Sequence, residues 1–394
     1  MKPKRIESID ILRGIVMVIM ALDHVRDYFH VGANIDNPLN LATTTPILFF
    51  TRWITHFCAP VFVFLSGTSI YLQSLRKTKK ELSGFLLKRG LWLIAIEFIV
   101  ISFAWSFNPD YDFFFLQVIW VIGISMVLLA GLIHLPFYFI LATGLLIVLG
   151  HNLLDIPESA PGFSHGFLWD LLHGAFFSVY PFWKNHNFLI VYPFLPWTGV
   201  MALGYCMGRW FDPMYDGVKR SRNLTRLGIG ILVFFIAVRF GNFYGDPVKW
   251  SPQKNGFYTF LSFINIHKYP PSILYLCLTL GPAILLLPVL ERVKNGFTNA
   301  MGVYGRVAFF YYILHLYLMH FISAIGFFLR GHTWQEVKHT GQNYPFNFLV
   351  PGEGYFLPLV YFVWAFVVIS LYPLCKKYDQ YKTIHKEKWW LSYL

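Results

Sequence analysis

Apolar segments long enough to cross a lipid bilayer recur along the whole chain, and they restrict the fold more than any other feature. A membrane-spanning helix needs about 20 mostly apolar residues, because it rises 1.5 Å per residue. Every backbone amide and carbonyl in the bilayer must be hydrogen-bonded within the protein, which favours helices. The sequence predicts ten spans, at 9–30, 47–73, 86–105, 114–133, 136–152, 190–210, 227–244, 269–290, 306–329 and 356–375.

The composition agrees with a membrane protein. Hydrophobic residues make up 56% of the 394 positions and charged residues only 13%, which excludes an ordinary soluble globular domain. The first apolar run is not followed by a signal-peptide cleavage site, so it is predicted to be a retained span. We predict an all-α, polytopic integral membrane helix bundle of about ten transmembrane helices, with residues 1–394 in a single domain.

The distribution of basic residues predicts the orientation in the membrane. Lysine and arginine concentrate in alternate connections, and cytoplasmic connections carry such an excess. We therefore expect both termini in the cytoplasm and a multi-pass protein of the cytoplasmic (inner) membrane. The net charge of +12 follows this topology, so the lipid bilayer is an expected partner and nucleic acid is not. The basic segments include Lys2, Lys4 and Arg5, then 76–89, 219–226 and 376–388.

Two predicted outer loops are long, at about 153–189 and 330–355. The first is rich in aromatic residues, which are typical of a membrane–water interface. A lid over a site that faces a sugar or a lipid is an alternative. The aromatic residues of this loop are Phe163, Phe167, Trp169, Phe176, Phe177, Tyr180, Phe182 and Trp183.

Ionisable side chains crowd the end of the first span. Charged groups inside a bilayer cost about 2.5–3.5 kcal/mol each on insertion scales, so they indicate a functional site. Asp23, Asp27 and His30 fall at i, i+4 and i+7 and share a helix face, with His24 beside them. The alternative is a helix end that emerges into water, which applies most easily to His30.

The second span carries Arg52 and His56, again four residues apart. Its connection to the first span is short, so the two helices are predicted to be adjacent and antiparallel. Arg52 and His56 would then lie level with Asp23 and Asp27, where a carboxylate would set the basicity of an imidazole. A buried structural ion pair without chemistry remains the alternative.

The ninth span places His315 in mid-membrane, one turn after Tyr311. A lone intramembrane histidine is also common as a hydrogen-bonded packing residue. Gln117 is a further polar candidate, and Arg239 in the seventh span is expected to extend toward water. The spacing of the histidines matches no zinc motif, so no metal is expected, and assembly of a metal site from scattered histidines is the alternative.

Several blocks of sequence resemble the heparan-α-glucosaminide N-acetyltransferase-like family of membrane acyltransferases, in its bacterial branch. Each block is degenerate, but their order and spacing together carry the resemblance over nearly the whole chain. The blocks are Arg5-x-x-Ser8-x-Asp10-x-x-Arg13-Gly14, Pro60–Ser69, Leu116–Trp120, Pro196-Trp197-x-Gly199, Lys268–Ser272 and Gly305–His320.

This resemblance implies transfer of an acetyl group from cytosolic acetyl-CoA to a sugar across the membrane. His24 stands at a polar position that is asparagine in the lysosomal branch, and His30 is the nearest equivalent of that branch's catalytic histidine. His56 stands where that branch has an acidic residue. The predicted catalytic residues are therefore His24, Asp23, Asp27, His30, His56, Arg52 and His315. The acetyl-CoA site is predicted at Arg13, Arg5, Gln117 and Tyr311.

The leading hypothesis is an acyl-CoA-dependent O- or N-acetyltransferase that modifies a saccharide or amino sugar on the extracytoplasmic side. A proton-coupled transporter or flippase that uses the Asp/His cluster is the alternative. A membrane scaffold with buried ion pairs is a third reading. The sequence leaves open the acceptor, the acyl chain, a direct or acyl-histidine mechanism, and assembly as a homo-oligomer.

Overall fold

The computed structural model describes residues 6–174, 177–337 and 345–392. The protein is mostly helical, with 70% helix and 5% strand. The described helices are Glu7–Phe29 (α1), Pro46–Trp53 (α2), Cys58–Ser74 (α3), Lys79–Ile96 (α4), Ser102–Ser106 (α5), Val118–Leu132 (α6), Phe137–Gly150 (α7), Asp155–Glu158 (α8), Phe167–Trp169 (α9), Phe194–Met207 (α10), Gly217–Gly241 (α11), Gly256–Ile264 (α12), Ile273–Arg292 (α13), Gly296–Arg306 (α14), Ala308–Leu329 (α15) and Leu357–Ile384 (α16).

Six helical stretches are long and apolar enough to cross a membrane, which confirms the predicted helical membrane architecture. Each coincides with a span predicted from the sequence. The number of ten spans and the cytoplasmic side of the termini stay predictions. The six stretches are Pro46–Ser74, Phe137–Glu158, Gly217–Gly241, Ile273–Arg292, Ala308–Leu329 and Leu357–Ile384.

The other four predicted spans are also largely helical, but length or charge sets them apart. α1 contains six charged residues, and α4 is followed by a π-helical turn at Glu97–Ile101. α6 has only 15 residues and α10 only 14.

Local sequence signals fix where several helices begin. Thr45 accepts a hydrogen bond from the amide of Leu48 at the start of α2, and proline follows it at the first helical position. Thr78 and Glu81 form a reciprocal capping box at the start of α4. Such caps satisfy amides that have no partner within the helix.

The chain folds as two compact units. The first comprises the described residues of Met1–Ile9, Ala59–Phe98 and Phe114–Val293, and the second comprises Asp10–Cys58, Ile99–Phe113 and the described residues of Lys294–Leu394. In the first unit α4 packs on α6, α7 on α10 and α11 on α13. The prediction of a single domain over the whole chain stays a prediction.

A small β-sheet of three strands corrects the prediction of an all-α fold. Two of its strands lie in, or at the end of, the long outer loop predicted at about 153–189. Its strands are Phe113–Leu116 (β1), Ser178–Trp183 (β2) and His186–Ile190 (β3), in the order β1-β3-β2. β2 and β3 are antiparallel and share an irregularity between Pro181 and Trp183. The fourth span was predicted to begin at 114 because a short apolar run has no periodicity that separates strand from helix.

The aromatic residues of the first long loop belong partly to this sheet. Phe182 of β2 stacks on Phe188 of β3 with ring centroids 4.3 Å apart, whereas the side chain of Trp183 is 60% exposed. Phe176 lies outside the described residues. The interface and lid interpretations of this loop both stay predictions.

Arg239 does not extend to water as predicted, because it is almost fully buried. Its guanidinium donates hydrogen bonds of 2.7–3.0 Å to four backbone carbonyls and lies 3.9 Å from Asp246. A buried guanidinium is stable only when its N–H groups are satisfied in this way. The four carbonyls belong to Val248, Ser262, Phe263 and Asn265.

Helix directions in the second unit follow from side-chain contacts along α1. α15 runs parallel to α1, and α2 runs in the opposite direction, as the predicted topology requires of the ninth and second spans. The contacts that fix these directions are His24–His315, Tyr28–His320, Asp23–Arg52 and Val16–Cys58.

Two glycines let the backbones of α1 and α14 touch. A Cβ on Gly14 would lie 1.8 Å from the carbonyl oxygen of Met301, and one on Gly305 would lie 1.7 Å from that of Asp10. Membrane helices use small residues for such close approach. Both glycines fall in the blocks that carried the family resemblance, and their role here is to remove side chains from a helix contact.

We expect Gly14→Ala to lower the thermal unfolding midpoint in detergent, because overpacking of this kind costs about 1–3 kcal/mol. Gly230→Ala in α11 is the matched control, since a Cβ there meets nothing within 4 Å. That control should leave the midpoint unchanged or raise it, because alanine favours helix over glycine by about 1 kcal/mol. Equal midpoints for the two variants would contradict this account of the α1–α14 contact.

Candidate functional site

The last two turns of α1 divide their polar residues between two faces. Successive residues of an α-helix point about 100° apart, so Asp23 and His24 cannot face the same neighbour. Asp23 joins Arg26 and Asp27 in a group of ion pairs. His24 instead packs on His315 and Trp105.

Two carboxylates and two guanidinium groups form the first face, which we call the ion cluster (Asp23, Arg26, Asp27 and Arg52). Arg26 Nη2 lies 3.0 Å from Asp23 Oδ1 and 2.5 Å from Asp27 Oδ1, and Arg52 Nη1 pairs with Asp23 Oδ2. The side chains of Asp23 and Arg26 are almost buried, whereas that of Asp27 is 39% exposed. Asp23 is therefore the centre of the cluster, with both of its oxygens engaged by guanidinium groups.

The predicted contact between the first and second spans is present, but Arg26 was missed as a site residue. Arg26 lies between Asp23 and Asp27 in the sequence, and spacing alone did not select it as a site residue. It pairs with both carboxylates, and its position at i+3 from Asp23 was the available signal.

A 3₁₀ turn at Ile54–Phe57 separates Arg52 from His56. In a 3₁₀ helix residues i and i+3 are eclipsed, so residues four apart do not share a face as they do in an α-helix. The prediction that Arg52 lies level with Asp23 is confirmed by their ion pair, and the same prediction for His56 stays a prediction. His56 is buried within the turn, and Arg52 faces Asp23.

The second face of α1 holds a pair of histidines. His24 Nδ1 lies 2.8 Å from Nε2 of His315, and the two rings are nearly parallel with centroids 5.0 Å apart. His315 is fully buried, whereas His24 is partly accessible. The sequence predicted both histidines as site residues but gave no sign that they touch.

Hydrogen-bond roles in this pair follow from the carbonyl beneath it. His315 Nδ1 lies 3.1 Å from the backbone oxygen of Tyr311, which can only accept, so Nδ1 of His315 donates. In a neutral His315 the other nitrogen then accepts, and His24 donates from its Nδ1. This order leaves Nε2 of His24 as the nitrogen that carries no proton and can act as a base.

A further layer of aromatic and histidine contacts follows one turn along both helices. Tyr28 donates to the carbonyl of Trp105 and lies 3.3 Å from Nδ1 of His320. His320 Nε2 lies 3.0 Å from the carbonyl oxygen of Asn347. Tyr28, Trp105 and His320 were not predicted, and the regular spacing of Tyr28 after His24 was the signal that could have suggested one of them.

His30 lies one residue beyond the end of α1. Its Nδ1 accepts a hydrogen bond from the amide of Gly32 at 3.1 Å, and its backbone pairs with that of Tyr355. These contacts are those of a helix end. A catalytic role for His30 stays a prediction, and the geometry favours His24 over it.

The four predicted acetyl-CoA residues are not seen to form one group. Arg13 Nη1 lies 3.2 Å from Asp10 and 3.3 Å from the carbonyl of Gly305, and its side chain is 18% exposed. Gln117 was predicted within the fourth span, but it directly precedes α6. Its backbone amide donates a hydrogen bond to Oε1 of Glu97. Tyr311 is fully buried against His315, and Arg5 lies outside the described residues.

Comparison with known proteins gives one family. The model of the family described as heparan-alpha-glucosaminide N-acetyltransferase, catalytic, matches residues 5–238. That range contains the ion cluster and His24 but ends before His315. No curated protein matches the chain.

We expect Asp23→Asn to destabilise the protein much more than Asp27→Asn. Removing one partner of a buried ion pair costs about 3–5 kcal/mol, since it leaves buried charge uncompensated. The half-exposed Asp27 should cost at most about 1 kcal/mol. Thermal unfolding in detergent measures the difference. The double variant Asp23→Asn/Arg52→Gln should recover part of the loss, and an equal loss in both single variants would contradict the central position of Asp23.

Proposed function

The chain belongs to the heparan-alpha-glucosaminide N-acetyltransferase family, and from that premise we propose that His24 is the base of an acetyl transfer. The donor is acetyl-CoA from the cytosol, and the acceptor is a hydroxyl or amine of a saccharide on the extracytoplasmic side. The observation that carries the proposal is the His24–His315 pair. It presents an imidazole nitrogen without a proton at a partly accessible position inside a helical membrane protein.

The proposed proton transfer takes place on the face of α1 that carries the histidine pair. Nε2 of His24 takes the proton of the acceptor as its oxygen or nitrogen attacks the acetyl carbon of the thioester. The C–S bond then breaks, and the coenzyme A thiolate leaves and takes the proton from His24. His315 keeps His24 in the required tautomer through the 2.8 Å hydrogen bond and is itself held by the carbonyl of Tyr311. The His315 side chain is thus a positioning residue, as the third group is in other base-activated sites.

The ion cluster supports this base without sharing its proton. Its two carboxylates are engaged by two guanidinium groups, so the formal charges cancel beside His24. Arg52 belongs to this cluster, because its Nη1 pairs with Asp23 and lies 3.4 Å from Thr55. We assign Arg52 to holding the cluster.

Arg13 fits a role in binding the donor phosphates. A guanidinium carries five N–H donors, and the contacts to Asp10 and Gly305 both use Nη1. Acetyl-CoA would supply the activated acetyl thioester. The guanidinium of Arg13 would bind a phosphate, as arginine commonly does.

The direction of the helices supports an acceptor on the outer side. In the predicted topology α1 and α15 both run outward, and the parallel contacts of His24 with His315 and of Tyr28 with His320 agree. Asp23 and His24 lie in the C-terminal third of α1, which is then the outer part of the span.

The transporter alternative receives less support from the geometry. A proton carrier would use a carboxylate that gains and loses a proton during transport. Asp23 and Asp27 are both held in ion pairs, so each cycle would have to break one of them. Substrate uptake by liposomes that contain the protein but no acetyl-CoA would favour the transporter.

The direct test is reconstitution of the purified protein in liposomes with labelled acetyl-CoA on one side and glucosamine, as the acceptor probe, on the other. We expect labelled N-acetylglucosamine on the acceptor side, or slow release of acetate when the acceptor is absent. Neither product from folded protein, with any added amino sugar or polysaccharide, would overturn the proposed acetyl transfer.

Substitution of the histidines should separate their roles. His24→Ala should lower kcat by about 10²–10⁴-fold, the range for loss of a general base. His315→Gln should lower kcat and leave the KM for acetyl-CoA nearly unchanged, because it acts on His24 and not on the donor. His30→Ala should lower kcat by less than about tenfold.

His134→Asn, at an exposed turn after α6, serves as the control and should match the unaltered protein. A larger loss for His30→Ala than for His24→Ala would move the base to His30. An acetylated protein trapped in the unaltered enzyme, and missing in His24→Ala, would show that His24 forms a covalent intermediate.

A further inference from the structure

A second group of histidine and carboxylate side chains lies in the first unit, in the segment that follows α7. It is built from a 3₁₀ turn at His151–Leu154, the short helix α8 and a π-helical turn at Asp170–Gly174. These three elements bring together His151, Asp155, Glu158 and His173. None of these residues takes part in the proposed acetyl transfer.

His173 is the centre of this group and is fully buried. Its Nδ1 lies 2.8 Å from Oε1 of Glu158, and its Nε2 lies 3.1 Å from Nδ1 of His151 and 4.0 Å from Oδ1 of Asp155. A carboxylate on one ring nitrogen fixes the tautomer of an imidazole and turns the other nitrogen into a ligand. The ligand nitrogen, Nε2, points at two further potential ligands.

Neighbouring side chains hold both carboxylates in place. Asn152 donates to Oδ2 of Asp155 at 2.8 Å, which leaves Oδ1 directed toward His173. Asn152 is itself fixed by the amide of Ile273. Trp169 donates to Oε1 of Glu158 at 2.7 Å. Such outer contacts are what orients the ligands of a metal ion in proteins.

Burial and charge also favour a cation. His151 is 3% exposed, and its Nδ1 is the ring nitrogen that faces His173. In the described part of the chain the ion pairs of Asp155 and Glu158 are made with His173 alone. Two carboxylates thus face one imidazole that is charged only when protonated, and a divalent cation would balance them.

We propose that His151, Asp155 and His173 bind a divalent cation of the zinc class, with Glu158 orienting His173. Imidazole nitrogen with one carboxylate oxygen is a donor set that suits zinc. Ligands about 2.1 Å from a tetrahedral ion lie about 3.4 Å apart, close to the observed separations of 3.1 and 4.0 Å. The ion would join three separate turns of the outer segment. The proposal departs from the expectation of no metal, which was drawn from the sequence.

The proposal is independent of acetyl transfer and is tested by metal binding. Full-length protein freed of its affinity tag and treated with a chelator is titrated with Zn²⁺, and separately with Mg²⁺. One equivalent of Zn²⁺ should bind, Mg²⁺ should not compete, and X-ray absorption should show two imidazole ligands. A failure to bind one equivalent of Zn²⁺ would overturn the site and leave two histidines joined by a hydrogen bond.

Variants assign the ligands. Asp155→Asn and His173→Gln should abolish stoichiometric Zn²⁺ binding, and Glu158→Gln should weaken it by about 10–100-fold as the orienting residue. His165→Gln is the matched control, because His165 pairs with Asp170 in the same segment and lies outside the proposed ligands. Unchanged Zn²⁺ binding in His173→Gln would overturn the proposal. Chelation should lower the thermal midpoint of the unaltered protein and of His165→Gln, but not that of His173→Gln.

Discussion

The pairing of Asp23 with two arginines is the interaction on which the second unit depends. Isolated charges in an apolar bundle would be costly, and here two carboxylates and two guanidinium groups offset one another. Because Arg52 comes from a different helix, the same contact that neutralises α1 also fixes its neighbour. The same contacts thus compensate the charges and fix the packing of the helices, and they thereby set the position of His24.

The residues that hold α1 in place and the histidine that we propose for the chemistry lie on different faces of the helix. Adjacent positions on α1 face different neighbours, so Asp23 anchors the helix and His24 meets His315. The carbonyl of Tyr311 completes the arrangement, since a backbone oxygen can only accept and therefore dictates which nitrogens donate. The Nε2 of His24, which we propose as the base, is thus left without a proton by a hydrogen-bond order that begins at a backbone carbonyl.

Much of the architecture could be predicted from the sequence, because apolar runs of about 20 residues leave few alternatives in a membrane. The candidate residues on α1 and α15 were also visible, as polar interruptions of such runs. What could not be predicted depends on tertiary contact. The strand Phe113–Leu116 has the same composition as a helix end. The 3₁₀ turn at Ile54–Phe57 interrupts the α-helical spacing between Arg52 and His56. Arg239 donates to four backbone carbonyls, and its position in the sequence does not predict these contacts.

The glycine contact in the N-terminal half of α1 has a consequence for the C-terminal end of the same helix. Where backbones touch without side chains between them, a helix can neither slide nor turn about its axis, so Gly14 sets the rotational phase of all that follows. Asp23 and His24 lie nine and ten residues further along α1, so the rotation of the helix about its axis determines which neighbours they face. A small rotation there would leave the helix intact while turning His24 away from His315. Substitutions at this contact would then act on the proposed site at His24, although they lie more than two helical turns from it.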